Sequence, residues 1–214
     1  MNILVVSAYE DRRKKYTDEY EIISAVWWED IKDEELKTYH FYWNARDEHK
    51  KKVVACSKSH KKAIQHIIDN DLKNTIVIED DAILDIPRLD ELKDYDDFVF
   101  VGGDIRPPLV KDDKIFNKSM INKSNGLNVI DTDTFRILGA FGYFIPNKKI
   151  AQMIIDMIPV NNKEKAIDVE FSKLQKKGII KYFHFPPIST LYMPDALTGF
   201  NAKLMNLKDN FSEY

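Results

Sequence analysis

The sequence predicts an α/β fold, a mixed and mostly parallel sheet flanked by helices. Residues 3–7 form a short, nearly continuous apolar run rich in branched side chains, the pattern of a strand buried on both faces. Runs at 75–78 and 98–101 repeat the design. Each empties abruptly into polar or glycine residues: Ala8-Tyr9-Glu10-Asp11-Arg12-Arg13, Glu79-Asp80-Asp81 and Gly102-Gly103-Asp104. Segments with helical spacing lie between such runs. In sheets of this kind ligands collect outside the carboxyl ends of the strands, so the loops opening at Ser7, Glu79 and Gly102 are expected to converge on one site.

After the first strand, residues 21–28 form a second candidate and 39–43 a possible third. A helix is expected over 57–68, with Ser57 as N-cap and His60, Ala63, Ile64, Ile67 and Ile68 at the spacing of one face. Asn70 and Asp71 close it. Residues 106–128 carry a Pro-Pro pair, mixed charges and Ser-Asn-Gly, and read as a long loop. Strands broken by Gly139 and Gly142 are expected over 135–145, and helices over 148–157 and 168–177, the second stopped by Gly178. A last strand covers 179–185 and ends at Pro186-Pro187. Without repeats or an interdomain linker, residues 1–214 are expected to form one domain.

Composition narrows the classes. The chain has 214 residues, 44% of them hydrophobic and 31% charged, as globular proteins do. With 32 basic and 35 acidic residues its formal charge is −3, which argues against bulk nucleic-acid binding. A single cysteine, Cys56, cannot form an internal disulfide. The opening apolar run is too short for a signal-peptide core, and no segment reaches membrane-spanning length. The expected location is therefore cytoplasmic.

The sharpest local signal is Glu79-Asp80-Asp81 at the end of a buried strand. Three adjacent carboxylates repel one another, and a hard divalent cation, Mg²⁺ or Mn²⁺, would offset the repulsion. A solvated acidic turn is the competing account of the tripeptide alone. Beside a nucleotide such carboxylates suit sugar transfer, because a metal bridging both phosphates stabilises the charge of a departing diphosphate. On that account Asp81 is the direct ligand, while Glu79 reaches the ribose or an ion-bound water.

Cys56-Ser57-Lys58-Ser59-His60, a helix, and then Ile76-Val77-Ile78-Glu79-Asp80-Asp81-Ala82 resemble glycosyltransferase family 25, in which a Ser-His pair opens a helix and a hydrophobic strand ends in Glu-Asp-Asp. Asp11-Arg12-Arg13 is similar to the family's Arg-rich element. Gly139-Ala140-Phe141-Gly142-Tyr143-Phe144-Ile145 is similar to its Gly-x-x-x-Tyr strand, Ala166-Ile167-Asp168 to its late Asp, and Pro186-Pro187 to its late Pro element. The opening Leu4-Val5-Val6-Ser7-Ala8-Tyr9 departs from the family's usual Ile-Asn-Leu, and 106–128 matches none of its elements. The resemblance implies a GT-A fold, a divalent ion (usually Mn²⁺), a UDP-sugar donor, a glycan acceptor and inversion at the transferred sugar. The family has divergent members in large DNA viruses, and such an origin would make the location the host cytoplasm.

Candidate nucleotide-sugar contacts are Ser7, Ala8, Tyr9, Arg13, Ser57, His60, Glu79 and Asp80. Tyr9 either stacks on a uracil ring or packs internally. Arg13 either pairs with the diphosphate or sits on a solvated face. His60 is a core histidine or, as the resemblance implies, a donor contact. Candidate metal ligands are Asp81, Glu79 and His184, the last because a late His often completes the metal shell of GT-A enzymes. Asp168 and Asp104 are the candidate catalytic bases; Asp168 otherwise serves the dipole of its helix. The resulting expectation is transfer of a hexose or deoxyhexose from UDP to a glycan hydroxyl. Its rivals are a metal-dependent phosphohydrolase or nucleotidyltransferase, and a catalytically inactive nucleotide- or glycan-binding module. The phosphohydrolase lacks support from any Asp-x-Asp-x-Thr or Gly-x-x-x-x-Gly-Lys pattern.

Overall fold

A computed structural model describes residues 1–39, 41, 46–108, 121, 123–159 and 165–191. Its elements in chain order are β1 (Asn2–Ser7), α1 (Glu10–Arg13), β2 (Glu21–Ser24), α2 (Asp33–Leu36), α3 (Asp47–Asp69), β3 (Thr75–Glu79), β4 (Ala82–Leu84), β5 (Val99–Phe100), β6 (Asp104–Arg106), β7 (Gly126–Val129), β8 (Arg136–Leu138), β9 (Gly142–Ile145), α4 (Lys148–Met157), α5 (Ile167–Lys176), β10 (Tyr182–Phe185) and β11 (Ser189–Leu191). Seven strands form one sheet in the order β2-β1-β3-β9-β5-β10-β7. Five of them run in one direction; β9 and β7 oppose their neighbours, so the sheet is mixed and mostly parallel. Two short antiparallel ribbons, β4 with β11 and β6 with β8, flank it.

Strand alternation divides the core in two. Leu4, Val6, Val77, Phe100, Tyr143 and Phe183 face one way and pack beneath α3, α4 and α5. Ile3, Val5, Ile76, Ile78, Val99 and Phe144 face the other way. That face is covered by Tyr16, Tyr20 and the 3₁₀ segment Ile86–Leu92, with Leu92 fully buried. The central strands β1, β3 and β9 are sealed on both faces, which is why they read as continuous apolar runs rather than alternating ones.

Several expected boundaries move. Helix α3 begins at Asp47, so Ser57 lies inside it and is not its N-cap. Asp47 and Glu48 in its first turn complement the helix dipole, and the Ser57 hydroxyl is accommodated mid-helix by donating to Val53 O at 3.0 Å. The helix ends in a turn whose Asp71 has φ +49°. The strand expected over 21–28 stops at Ser24, and Trp28–Asp30 winds into a 3₁₀ turn. Of the strand expected over 39–43, Tyr39 and Phe41 pack at the base of α3, while 40 and 42–43 lie outside the described residues. Gly126–Val129, inside the expected long loop, is instead a strand on the sheet edge; 109–120 and 122 lie outside the described residues. Ile179 and Ile180 are not strand residues, because their N–H groups return to Leu174 O and complete the turn after α5.

Gly139 has φ +86° and separates β8 from β9, as the break expected there requires. Gly142 serves a different need: a Cβ there would stand 2.5 Å from the Ser189 Cβ, where the chain entering β11 crosses the end of the sheet.

Candidate active site

The carboxyl ends of β1, β2 and β3 lie side by side, as parallel pairing demands. Between them and α3 opens a pocket of about 190 Å³. Ala8 and Tyr9 line it from the turn after β1, Val26, Trp27 and Trp28 from the segment after β2, Cys56 and His60 from α3, and Glu79 and Asp80 from the end of β3. Tyr9 and Trp27 meet edge to face, centroids 5.2 Å apart, and the Arg12 guanidinium lies 5.0 Å from the Tyr9 ring centroid. Its lining therefore combines aromatic rings with carboxylates.

The three carboxylates of the triplet have three different environments. Glu79 continues the parity of Val77 and points towards α3, where its Oε1 lies 3.1 Å from His60 Nε2. His60 Nδ1 in turn lies 3.1 Å from the Tyr143 hydroxyl, so both ring nitrogens of this buried histidine are engaged. Asp80 points the other way. Its Oδ2 accepts from Ser7 Oγ at 2.7 Å and its Oδ1 from Arg12 at 2.8 Å, and the Tyr16 hydroxyl donates to its backbone carbonyl at 3.2 Å. Asp81 has the Arg12 guanidinium as its cationic neighbour, at 3.9 Å. Its Oδ1 is buried without a hydrogen-bonding partner among the described residues. Burial, then the charges of Glu79 and Asp80, push its carboxyl up to about 7.

Asp168 opens α5. The Ser57 hydroxyl accepts the Ile167 N–H at 3.0 Å, tying that first turn to α3. Burial raises the Asp168 carboxyl above the usual carboxylate range, and nearby Glu79 adds to the rise. The Val169 N–H, donated to Asp168 Oδ1 at 2.7 Å, and the Arg136 charge oppose it.

Ala8, Tyr9, His60, Glu79 and Asp80 thus meet at one pocket, with Asp81 and Asp168 close enough to feel the Glu79 charge. Other expected contacts are engaged within the protein. Ser7, 1% exposed, and Asp80, 7% exposed, hold each other and the turn of α1. Ser57 is fully buried, and its hydroxyl is committed to Val53 and Ile167. Arg13 donates to Ser7 O at 2.7 Å, and its Nε is buried without a partner among the described residues. Arg12, not Arg13, faces the acidic cluster.

His184 is not a neighbour of Asp81. It sits on β10, three strands from β3 and hence roughly 14 Å across the sheet. There its Nε2 lies 2.9 Å from Glu91 Oε2 and its Nδ1 3.0 Å from Pro186 O. Asp104 is on the β6–β8 ribbon and pairs with Arg106 at 2.6 Å. The residues missed from the sequence are Trp27, Trp28 and Cys56. The tandem tryptophans at a strand's carboxyl end were a usable signal, since that is where α/β sheets bind their ligands.

A pocket lined by aromatic and acidic residues at the carboxyl ends of adjacent parallel strands stands where α/β proteins with such sheets hold their ligands. The particular family follows from comparison: glycosyltransferase family 25 (LPS biosynthesis protein) matches residues 7–171, and the chain belongs to that family. Membership makes it a glycosyltransferase, with a sugar donor and an acceptor as partners, and the mixed, mostly parallel sheet is consistent with a GT-A-like nucleotide-sugar transferase fold. No curated protein matches the chain. No helix among the described residues is long and apolar enough to cross a membrane.

Proposed function

We propose that this glycosyltransferase moves a hexose or deoxyhexose from a UDP-sugar to a hydroxyl of a glycan acceptor, with Mn²⁺ or Mg²⁺ bound at the end of β3. The observation that carries the reading is Asp81: a carboxylate oxygen buried without a partner among the described residues, in a group whose ionisation is suppressed by burial and then by its acidic neighbours. A hard cation answers both conditions, and the all-oxygen chemistry of Asp81 and Glu79 suits Mn²⁺ or Mg²⁺. Bound there, the ion supplies positive charge to a departing diphosphate.

The chain's own residues carry the remainder. Tyr9 and Trp27 offer aromatic surface against which the uracil base rests. Arg12, held by Asp80, adds a fixed positive charge beside the cluster. Asp168 takes the proton of the attacking hydroxyl as the new glycosidic bond forms on the face opposite the leaving UDP. Its raised proton affinity suits a general base, and Oδ2 is left for the proton because Oδ1 accepts the Val169 N–H. Ser57 holds that carboxylate in place through Ile167.

The test is UDP release from a panel of UDP-sugars, with and without Mn²⁺ and with and without glycan acceptors. Release that requires both additions supports the proposal. Release independent of any acceptor supports a phosphohydrolase, and UDP binding without turnover supports an inactive module; either overturns it.

A further inference from the structure

We infer that Cys56, His60 and Glu79 form a second metal site in the pocket wall, one for a soft or borderline divalent cation of the Zn²⁺ class. Cys56 and His60 are four residues apart on α3, so their side chains project from the same face one turn apart. Glu79 reaches the same point from the end of β3. One ligand atom from each lies within 4.8 Å of the other two, the only such trio of Cys, His, Asp or Glu among the described residues.

The chemistry of the donor set distinguishes this place from Asp81, with Glu79 the one carboxylate common to both. Thiolate, imidazole and carboxylate together are a Zn²⁺ set, whereas Mg²⁺ and Mn²⁺ favour oxygen alone. Ligand atoms around a tetrahedral Zn²⁺ stand roughly 3.3–3.8 Å apart, as its bond lengths of about 2.0–2.3 Å require. His60 Nε2 and Glu79 Oε1 are already at 3.1 Å, so side-chain rotation at Cys56 supplies most of the remaining adjustment. The imidazole is fixed from behind by the buried Tyr143 hydroxyl at 3.1 Å from Nδ1, the kind of outer contact that orients a metal-binding histidine. Cys56 is exposed, and all three side chains line the pocket, so an ion has a path in and a fourth position for solvent or ligand.

This inference does not depend on the donor or on transfer, so it is tested with metal alone. The full chain is titrated with Co²⁺, whose bond to a thiolate gives a near-ultraviolet charge-transfer band, and with Zn²⁺ against a chromophoric chelator. One equivalent and a thiolate band are expected. Cys56→Ser, at an exposed position, should abolish the band and weaken Zn²⁺ at least about tenfold; His60→Gln should weaken Zn²⁺ similarly, while Asp81→Asn keeps the band. Absence of the band in the unaltered protein, unchanged Zn²⁺ affinity in folded Cys56→Ser, or one ion shared between two chains through their exposed thiols would each overturn the assignment.

Discussion

Replacing Asp81 with asparagine should stabilise the metal-free protein, and the gain should grow with pH. The folded carboxyl titrates at about 7, against an ordinary value of 3.8. An ionised Asp81 therefore costs the folded state about 4 kcal/mol at most. A quarter of the side chain meets water (24%), and Glu79 and Asp80 share the repulsion, so about 2 kcal/mol is a fair share for Asp81 alone. The sign follows from proton binding. Between about pH 4 and pH 7 the folded chain holds a proton that the unfolded chain has lost, so wild-type stability falls as pH rises through that window and is level above it. Asp81→Asn removes this titration. Urea or thermal unfolding should show the variant gaining about 2 kcal/mol on wild type from pH 4 to pH 8, roughly 4–8 °C in Tm for a chain of this size. Mn²⁺ at a hundred times its Kd should then stabilise the wild type by about 2.7 kcal/mol and the variant by far less. A stability gap equal at both pH values, or equal stabilisation by Mn²⁺, would refute the account of Asp81.

Asp168→Asn should leave UDP and Mn²⁺ binding intact while transfer falls by about a hundredfold or more; steady-state kinetics beside calorimetry decide it, and near-normal turnover would remove Asp168 from the mechanism. Ser57→Ala leaves the Ile167 N–H without its acceptor, so unfolding should show a loss of about 1–3 kcal/mol, and kcat should fall with donor KM unchanged because the fault lies at the turn carrying Asp168. Trp27→Ala should weaken UDP binding by roughly tenfold or more, measured by calorimetry, without altering the dependence on Mn²⁺; an unchanged affinity would place the base elsewhere.

How much of this could be read from the sequence depended on whether a pattern was local. The buried strands at 3–7 and 75–78 and the helix at 148–157 were legible, because an apolar run or a helical period needs no knowledge of its neighbours. The first two and a half turns of α3 were not. Their sequence is charged, Asp47-Glu48-His49-Lys50-Lys51-Lys52, and the apolar Val54 and Ala55 that follow pack on Ile31 from a distant turn. Strand β7 was hidden for a related reason: it is an edge strand with Val129 67% exposed, so it has no apolar run to display. At the site, the acidic triplet was visible as a group, but the separation of His184 from it was not. That separation is a matter of strand order, and β9 and β5 come between β3 and β10 although they are far from adjacent in the chain.

Strand parity accounts for what each member of the triplet can do. Glu79 shares the direction of Val77 and meets α3, where an imidazole awaits it. Asp80 inherits the direction of Ile78 and meets Ser7 and the α1 turn, so both its oxygens are satisfied by groups the chain itself supplies. Asp81 follows the end of β3 at the turn into β4, where parity assigns it to neither face. Burial and then the two preceding carboxylates raise its proton affinity, and no donor of its own reaches its buried oxygen among the described residues. Neutralising one of its neighbours should therefore act on Asp81 rather than on the fold alone. Glu79→Gln, which removes the larger of the two repulsions, should draw the Asp81 titration down towards the ordinary carboxylate range, and a carboxyl-resolved NMR titration of both proteins would reveal it. If Asp81 titrated near 7 in the Glu79→Gln protein as well, the Glu79 charge would have no part in the rise, and the argument that a cation is needed to offset the cluster's charge would lose its main support.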